Sequence, residues 1–212
     1  LIVSIIGAIT MILGVMMALV QTDIKRLLGF HAISQVGYMF LGVGLGSALG
    51  LAGGLFHMLN NSIYKMCLFL GAGAVLYRTG TKNLEGLGGL ARNMPVTFIC
   101  SLIAALSISG VPPFNGFVSK WMIYTATLQA AESSPGYMLF VVIAMLASIL
   151  TLASFVKYLH GVFLTARPEA YKDVKEVDWV MRIPMICLAA ACIFFGLYPQ
   201  FPLGYFISPA VN

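Results

Sequence analysis

The stretch "SISGVPPFNGFVSK" (Ser107–Lys120) interrupts a long apolar run. How often that run crosses a membrane decides the topology of the whole chain. The run extends roughly from 95 to 131. As one continuous helix it would span ~55 Å, against a hydrocarbon core of ~30 Å. Pro112 and Pro113 each lack a backbone donor and disfavour helix in the residue before them. Gly110 and Gly116 bracket them. The expected arrangement is a single broken crossing: half-helix, unwound link near 110–116, half-helix. The alternative is two short crossings.

Composition supports a membrane setting. The 212 residues are 60% hydrophobic and 9% charged, with a mean hydropathy of +0.95. Soluble chains carry about 25% charged residues. So little charge cannot clothe a folded surface, and lipid must cover much of it. The expected fold is an all-α polytopic membrane protein with about six transmembrane helices, one of them discontinuous. The segments read roughly 1–20, 27–47, 51–77, the broken 95–131, 137–165 and 183–207. Leu1 already lies in an apolar run, with no initiator Met and no signal-peptide pattern. An incomplete chain with helices upstream is expected.

Charge placement tests the broken crossing. With one crossing at 95–131, the connections 21–26, 78–94 and 166–182 share a side. They hold Lys25, Arg26, Arg78, Lys82, Arg92, Arg167, Lys172, Lys175 and Arg182, nine of the twelve Lys+Arg. The opposite connections, near 48–50 and 132–136, hold none. The positive-inside rule then assigns the basic side to the cytoplasm. Two crossings would move the last basic loop outside and weaken this asymmetry.

The three remaining basic residues, Lys65, Lys120 and Lys157, fall inside segments. Lys65 is ~18 Å from the nearer end of its segment, beyond the reach of snorkelling. A lysine at mid-helix costs ~2.5–3.5 kcal/mol on insertion scales. His57, Asn61 and Lys65 recur every fourth residue, with Tyr64 beside them, forming one polar stripe ~12 Å long. Such a stripe faces protein or water. A plainer reading is a hydrogen-bonded packing seam, although asparagine alone would serve there without lysine's cost. Lys120 follows the unwound link, where backbone polar groups are tolerated only beside protein or water. It could also satisfy orphan carbonyls of the first half-helix, and both readings can hold together. Lys157, with His160 beyond it, reads as interfacial. His31, Ser34 and Gln35 form a milder polar patch. Lys25 stands beside Asp23 at the membrane edge, as an anchor or as part of a proton path.

Other patterns are structural. Cys67, Cys100, Cys187 and Cys192 show no metal spacing and read as small apolar side chains. "GVGLGSALGLAGG" (Gly42–Gly54) carries no dinucleotide fingerprint and suits close helix packing. No metal, cofactor or nucleic-acid partner is expected. The seven acids all fall in loops or at segment ends, so no counter-charge for the lysines is expected within the membrane.

Buried amines suit proton transfer, because loss of water brings an amine's proton affinity toward the physiological range. Histidine, tyrosine and water held by Asn or Ser can relay between such stations.

"QTDIKRLLGFHAISQVGYMFLG", "FHMLNNSIYKMCLFLGAGAV" and "GGLARNMPVTFICSLIAALSISGVPPFNGFVSKW" together resemble the antiporter-like family. It comprises the proton-pumping membrane subunits of complex I, the large Mrp antiporter subunits and related subunits of energy-converting membrane-bound hydrogenases. The resemblance covers roughly 1–165. It implies that these residues form the second of two inverted five-helix repeats, followed by a polar cytoplasmic loop at 166–182 and a further helix within 183–212. It implies an upstream repeat supplying a glutamate and a lysine. It implies proton-translocation roles for Lys65, Lys120, His57 and Lys25, with Lys120 as the terminal site toward the outside. Asn61 stands where complex I relatives carry histidine, which leaves a water-holding role. The expected partners are other membrane subunits of a redox-driven or antiporter complex in a prokaryotic cell membrane, with protons, or Na⁺, as cargo. The chain itself carries no catalytic centre on this reading. The rival expectations are a structural anchor with no pumping role and a subunit for Na⁺/H⁺ antiport.

Overall fold

The computed structural model describes residues 1–211; Asn212, the last residue of the expected 183–212 region, lies outside the described residues. Among those described, seven long helices follow in order: α1 (Ile2–Leu19), α2 (Ile24–Gly44), α3 (Ala48–Thr79), α4 (Pro95–Ser109), α5 (Asn115–Ser133), α6 (Tyr137–Leu159) and α7 (Trp179–Leu197). A wider helical turn, His160–Leu164, extends α6, and short helical turns occupy 200–211.

Local chemistry sets the helix ends. α2 begins at Ile24, earlier than its apolar pattern, because Asp23 accepts the N–H groups of Lys25 and Arg26 at 2.8 and 3.1 Å. α3 outruns the expected 51–77 at both ends. Ser47 caps its start by accepting from Gly50 N at 3.1 Å, and Gly80, at φ +71°, stops it. α7 starts at Trp179 rather than 183 and ends at Leu197, before Pro199. The apolar pattern alone missed its first turn, which contains Arg182 with its guanidinium over the Trp179 ring.

Four helices, α1, α2, α6 with its extension and α7, are long and apolar enough to cross a membrane by length and composition. α3 has the length but carries the polar stripe, and α4 is apolar but only 15 residues long. The outer faces are apolar, with Leu13, Leu139, Ile149 and Val180 among many exposed large side chains. Such surfaces suit lipid rather than water. The α1–α2 pair packs through small residues: a Cβ at Gly37 would lie 2.6 Å from Gly7 O and Met11 N.

The polar contacts define the topology. α2 and α6 run antiparallel, with His31 against Ser154 and Tyr38 against Ala144. α6 therefore starts at the face where α2 ends, and α5 reaches that face through 134–136. α4 starts at the opposite face, so α4, the link and α5 together make one passage. The three basic connections meet at that opposite face. Ile24 N donates to Lys82 O and Leu84 N to Thr22 O, both at 2.9 Å. Asp23 pairs with Lys82 at 2.7 Å. Arg78 donates to Glu176 O at 2.8 Å, and Asn93 to Val174 O at 2.7 Å.

Candidate functional site

The break between α4 and α5 is built by its sequence. Gly110 adopts φ +80°, a left-handed backbone that suits glycine. Its N–H donates to Ser107 O at 2.9 Å, and Val111 N–H donates to Leu106 O at 3.0 Å. These two bonds close α4 in a Schellman motif. The next carbonyls, Ile108 and Ser109, would pair in a continuous helix with residues 112 and 113. Both are proline and have no N–H, so two acceptors are released inside the protein.

Lys120 takes one of them. Its Nζ donates to Ile108 O at 2.9 Å and to Ser148 Oγ at 3.1 Å, and it stands 4.5 Å from the centre of the Tyr38 ring. Ser148 Oγ also bonds the hydroxyls of Tyr38 and Tyr124, at 2.8 and 2.6 Å. A second cluster fixes the link to α3. Asn60 Nδ2 donates to Asn115 O, and Asn115 Nδ2 returns a bond to Asn60 Oδ1, both at 3.0 Å. Ser107 Oγ donates to Asn115 Oδ1. A Cβ at Gly116 would collide with the Ser107 carbonyl.

From the break, a buried polar series leads to Lys65. Ser119, beside Lys120, bonds His57 Nδ1 at 2.9 Å. His57 Nε2 meets Gln35 Oε1 at 3.1 Å, and Tyr64 OH lies 3.4 Å from both. Lys65 Nζ donates to Leu28 O. Leu28, His31, Gln35 and Tyr38 occupy one face of α2, spaced three, four and three residues apart. That face runs ~15 Å and joins the contacts of one lysine to those of the other. His31, Gln35, His57, Tyr64 and Tyr38 are all fully buried. Gln35 Nε2 and His31 Nδ1 carry hydrogen-bonding capacity that no protein group uses. No Asp or Glu is among the buried residues described.

The structure brings together most, not all, of the residues singled out from sequence. Lys65, Lys120, His57, Tyr64, His31 and Gln35 share this interior. Ser34 turns away and donates to Met11 O on α1 at 2.9 Å. Asn61 is half-buried, with its Oδ1 unpartnered, whereas its neighbour Asn60, outside the four-residue stripe, reaches the link. Lys25 is exposed, and the ion pair of Asp23 goes to Lys82. Asp23 is held below its ordinary value: partial burial opposes ionisation, but the Lys82 ammonium and the N–H groups of Arg26 and Lys25 outweigh it. Lys157 donates to Leu19 O and Gln21 O at 2.9 and 2.8 Å, closing the end of α1. Tyr38, Asn60, Ser107, Asn115, Ser119 and Ser148 were not singled out. Spacing from Lys120 was the available signal for Ser119, and the i, i+3 step from His57 the signal for Asn60.

The sequence model of the family described as "NADH:quinone oxidoreductase/Mrp antiporter, TM" matches residues 1–151. The chain belongs to this family. The match includes α1–α5 and most of α6, hence both buried lysines and the break. Within the family the chain is 42% identical over 203 residues to an uncharacterized protein of Methanocaldococcus jannaschii, covering 94% of this chain and 41% of that one. It is 37% identical over 231 residues to a Na⁺/H⁺ antiporter subunit of Alkalihalophilus pseudofirmus, covering 97% and 28%. Among solved structures, a chain of the membrane-bound sulfane sulfur reductase, an archaeal respiratory membrane complex, superposes with a TM-score of 0.89 at 31% identity, covering 98% and 34%. The chain thus spans less than half the length of these relatives. It is an integral, multi-pass membrane protein.

Proposed function

We propose that this chain is an antiporter-like, proton-translocating part of a membrane subunit, relaying protons between Lys65 and Lys120. Residues 1–165 act as one five-helix repeat, the second of an inverted pair, with 166–182 as a cytoplasmic loop and α7 as the added helix. Other membrane subunits of a redox-driven or antiporter complex in a prokaryotic cell membrane drive it. Family membership and the likeness to part of a respiratory membrane complex support the class of protein.

One observation carries the mechanism. Lys120 binds a carbonyl released by the two prolines, and a hydrogen-bonded set of buried polar groups, Ser119, His57 and Gln35, runs from the position beside Lys120 to the α2 face that also binds Lys65. With no buried acid beside either lysine, a charge moved elsewhere in the complex alters their proton affinity at long range in a low-dielectric medium. Lys120 passes its proton to the far face, and Lys65 reloads it through His57.

The experiment is proton translocation by the assembled complex in proteoliposomes. Lys65→Met and Lys120→Met should each stop pumping while the complex still assembles. Pumping at the wild-type rate would favour an anchor with no transport role. A second reading, Na⁺/H⁺ exchange, is favoured by the antiporter relative. Sodium sites draw on carboxylates and carbonyls; Pro113 deprives the Ser109 carbonyl of its helical donor, and no carboxylate is buried among the described residues. Uptake of ²²Na⁺ by the same vesicles separates the two.

A further inference from the structure

A second line of buried polar groups lies outside the relay between the two lysines and reaches the basic face. It starts at the loop after α6. Glu176 reaches over the first turn of α4, which has no cap of its own. Its Oε2 accepts Val96 N at 2.8 Å and Thr97 N at 3.1 Å, and its Oε1 accepts Thr97 Oγ1 at 2.6 Å. One turn deeper on the same face of α4 stands Ser101. Ser101 faces the Tyr158 hydroxyl of α6, yet neither hydroxyl completes a hydrogen bond with protein. One turn deeper along α6 stands Ser154, whose Oγ bonds His31 Nε2 at 2.8 Å.

Thr97, Ser101, Tyr158, Ser154 and His31 are all fully buried. Three of them, Ser101, Tyr158 and His31, hold polar atoms with no partner. Buried polar groups are nearly always bonded, to protein or to water, and a packing seam needs no such surplus. The steps along α4 and α6 are each ~6 Å, the span that one bridging water closes. The inner end, His31, is one turn from Gln35 of the relay and one turn from Leu28, the acceptor of Lys65.

We propose that Glu176–Thr97–Ser101–Tyr158–Ser154–His31 is a proton-uptake branch, carrying protons from the basic face to the relay through hydroxyls and intervening water. Glu176 fixes the mouth by holding Thr97 and the start of α4. The titratable or charged groups facing this line are Arg78 of α3, which donates to Glu176 O, Cys100 of α4, beside Glu176, Cys67 of α3, beside Tyr158, and Lys65 and Lys120, across from His31. The Cys67 thiol is turned to Cys100 O and Met185 O and stays outside the branch.

The proposal rests on the relay reading above, and its test separates the two. The assembled complex is placed in vesicles with the basic face outward, and pumping is followed against external pH. Tyr158→Phe removes one hydroxyl and keeps the ring between Phe155 and Phe163. It should cut pumping several-fold, with the deficit growing as external pH rises and uptake becomes limiting. Ser154→Ala should act in the same way, and it carries the test if the tyrosine variant fails to assemble. Unchanged pumping overturns the branch, and so does a deficit independent of pH, which marks a packing defect. Lys120→Met serves as the reference. If it stops pumping while both hydroxyl variants pump normally, the relay stands and the branch falls. If it pumps normally, the relay itself fails.

Discussion

Lys65 and Lys120 are both buried amines without a carboxylate, 6% and 2% exposed, but they are held by different means. Lys120 sits in a site made for it. The two prolines release a carbonyl, Ser148 adds a hydroxyl, and the Tyr38 ring covers the charge. Lys65 borrows Leu28 O from within the continuous helix α2, and the centre of the Phe69 ring lies 5.8 Å away. A carbonyl already engaged in a helix is a weaker anchor than a released one. On the proposed relay, Lys120 would be the station fixed at the break and Lys65 the station held against α2.

The comparison can be broken most forcefully at the link. Gly116→Ala places a methyl group against the Ser107 carbonyl. It should destabilise the protein by about 1–3 kcal/mol or more, read as a lower thermal midpoint in detergent, and should disorganise the Lys120 site first. Asn115→Ala comes next. It strands Asn60 Oδ1 and the Ser107 hydroxyl in the interior, at ~1–3 kcal/mol for the buried groups left unsatisfied, while Asn60 Nδ2 keeps its main-chain acceptor at position 115. A double-mutant cycle with Asn60→Ala should show strong coupling. Tyr38→Phe sharpens the contrast at lower cost. It keeps the ring beneath Lys120 but removes the bonds to Ala144 O and Ser148, at ~0.5–1.5 kcal/mol. It should slow pumping without touching the Lys65 contacts.

The smallest effect lies at Asp23, far from either amine. Its folded carboxyl ionises more readily than in the unfolded chain. Its contribution is therefore present above the unfolded value, ~3.9, and fades as pH falls through the lower folded value. Asp23→Ala should cost about 1 kcal/mol near neutral pH, mostly as a lost helix cap, and this penalty should shrink below about pH 4. Pumping should be unaffected. A pumping defect there would mean that the Asp23 region of the basic face, with Lys25 and Lys82, also takes part in transport, apart from the Glu176 mouth.

Much of this arrangement was legible in the sequence. Paired prolines between flanking glycines announce a break, and a lysine too deep to snorkel announces a polar interior. Sequence periodicity could not supply the partners across helices. Asn60 and Asn61 are adjacent, and only the packing of α3 against the link decides which one faces Asn115. Tyr38, Ser119 and Ser148 read as ordinary membrane-helix residues until α2, α5 and α6 converge on Lys120. The partner of Asp23 was likewise out of reach of sequence: Lys82, from another connection, pairs with that carboxylate, while Lys25 is exposed at the membrane edge.

The central claim is that Lys120 gives up and regains its proton during transport. Lys120→Arg tests it most directly, because guanidinium keeps the charge and the donors but does not deprotonate in proteins. In an assembled complex, confirmed by native electrophoresis, proton translocation should be lost in this variant as completely as with Lys120→Met. Pumping at the wild-type rate with arginine in place would show that only a fixed positive charge is needed at the break, and would contradict the relay.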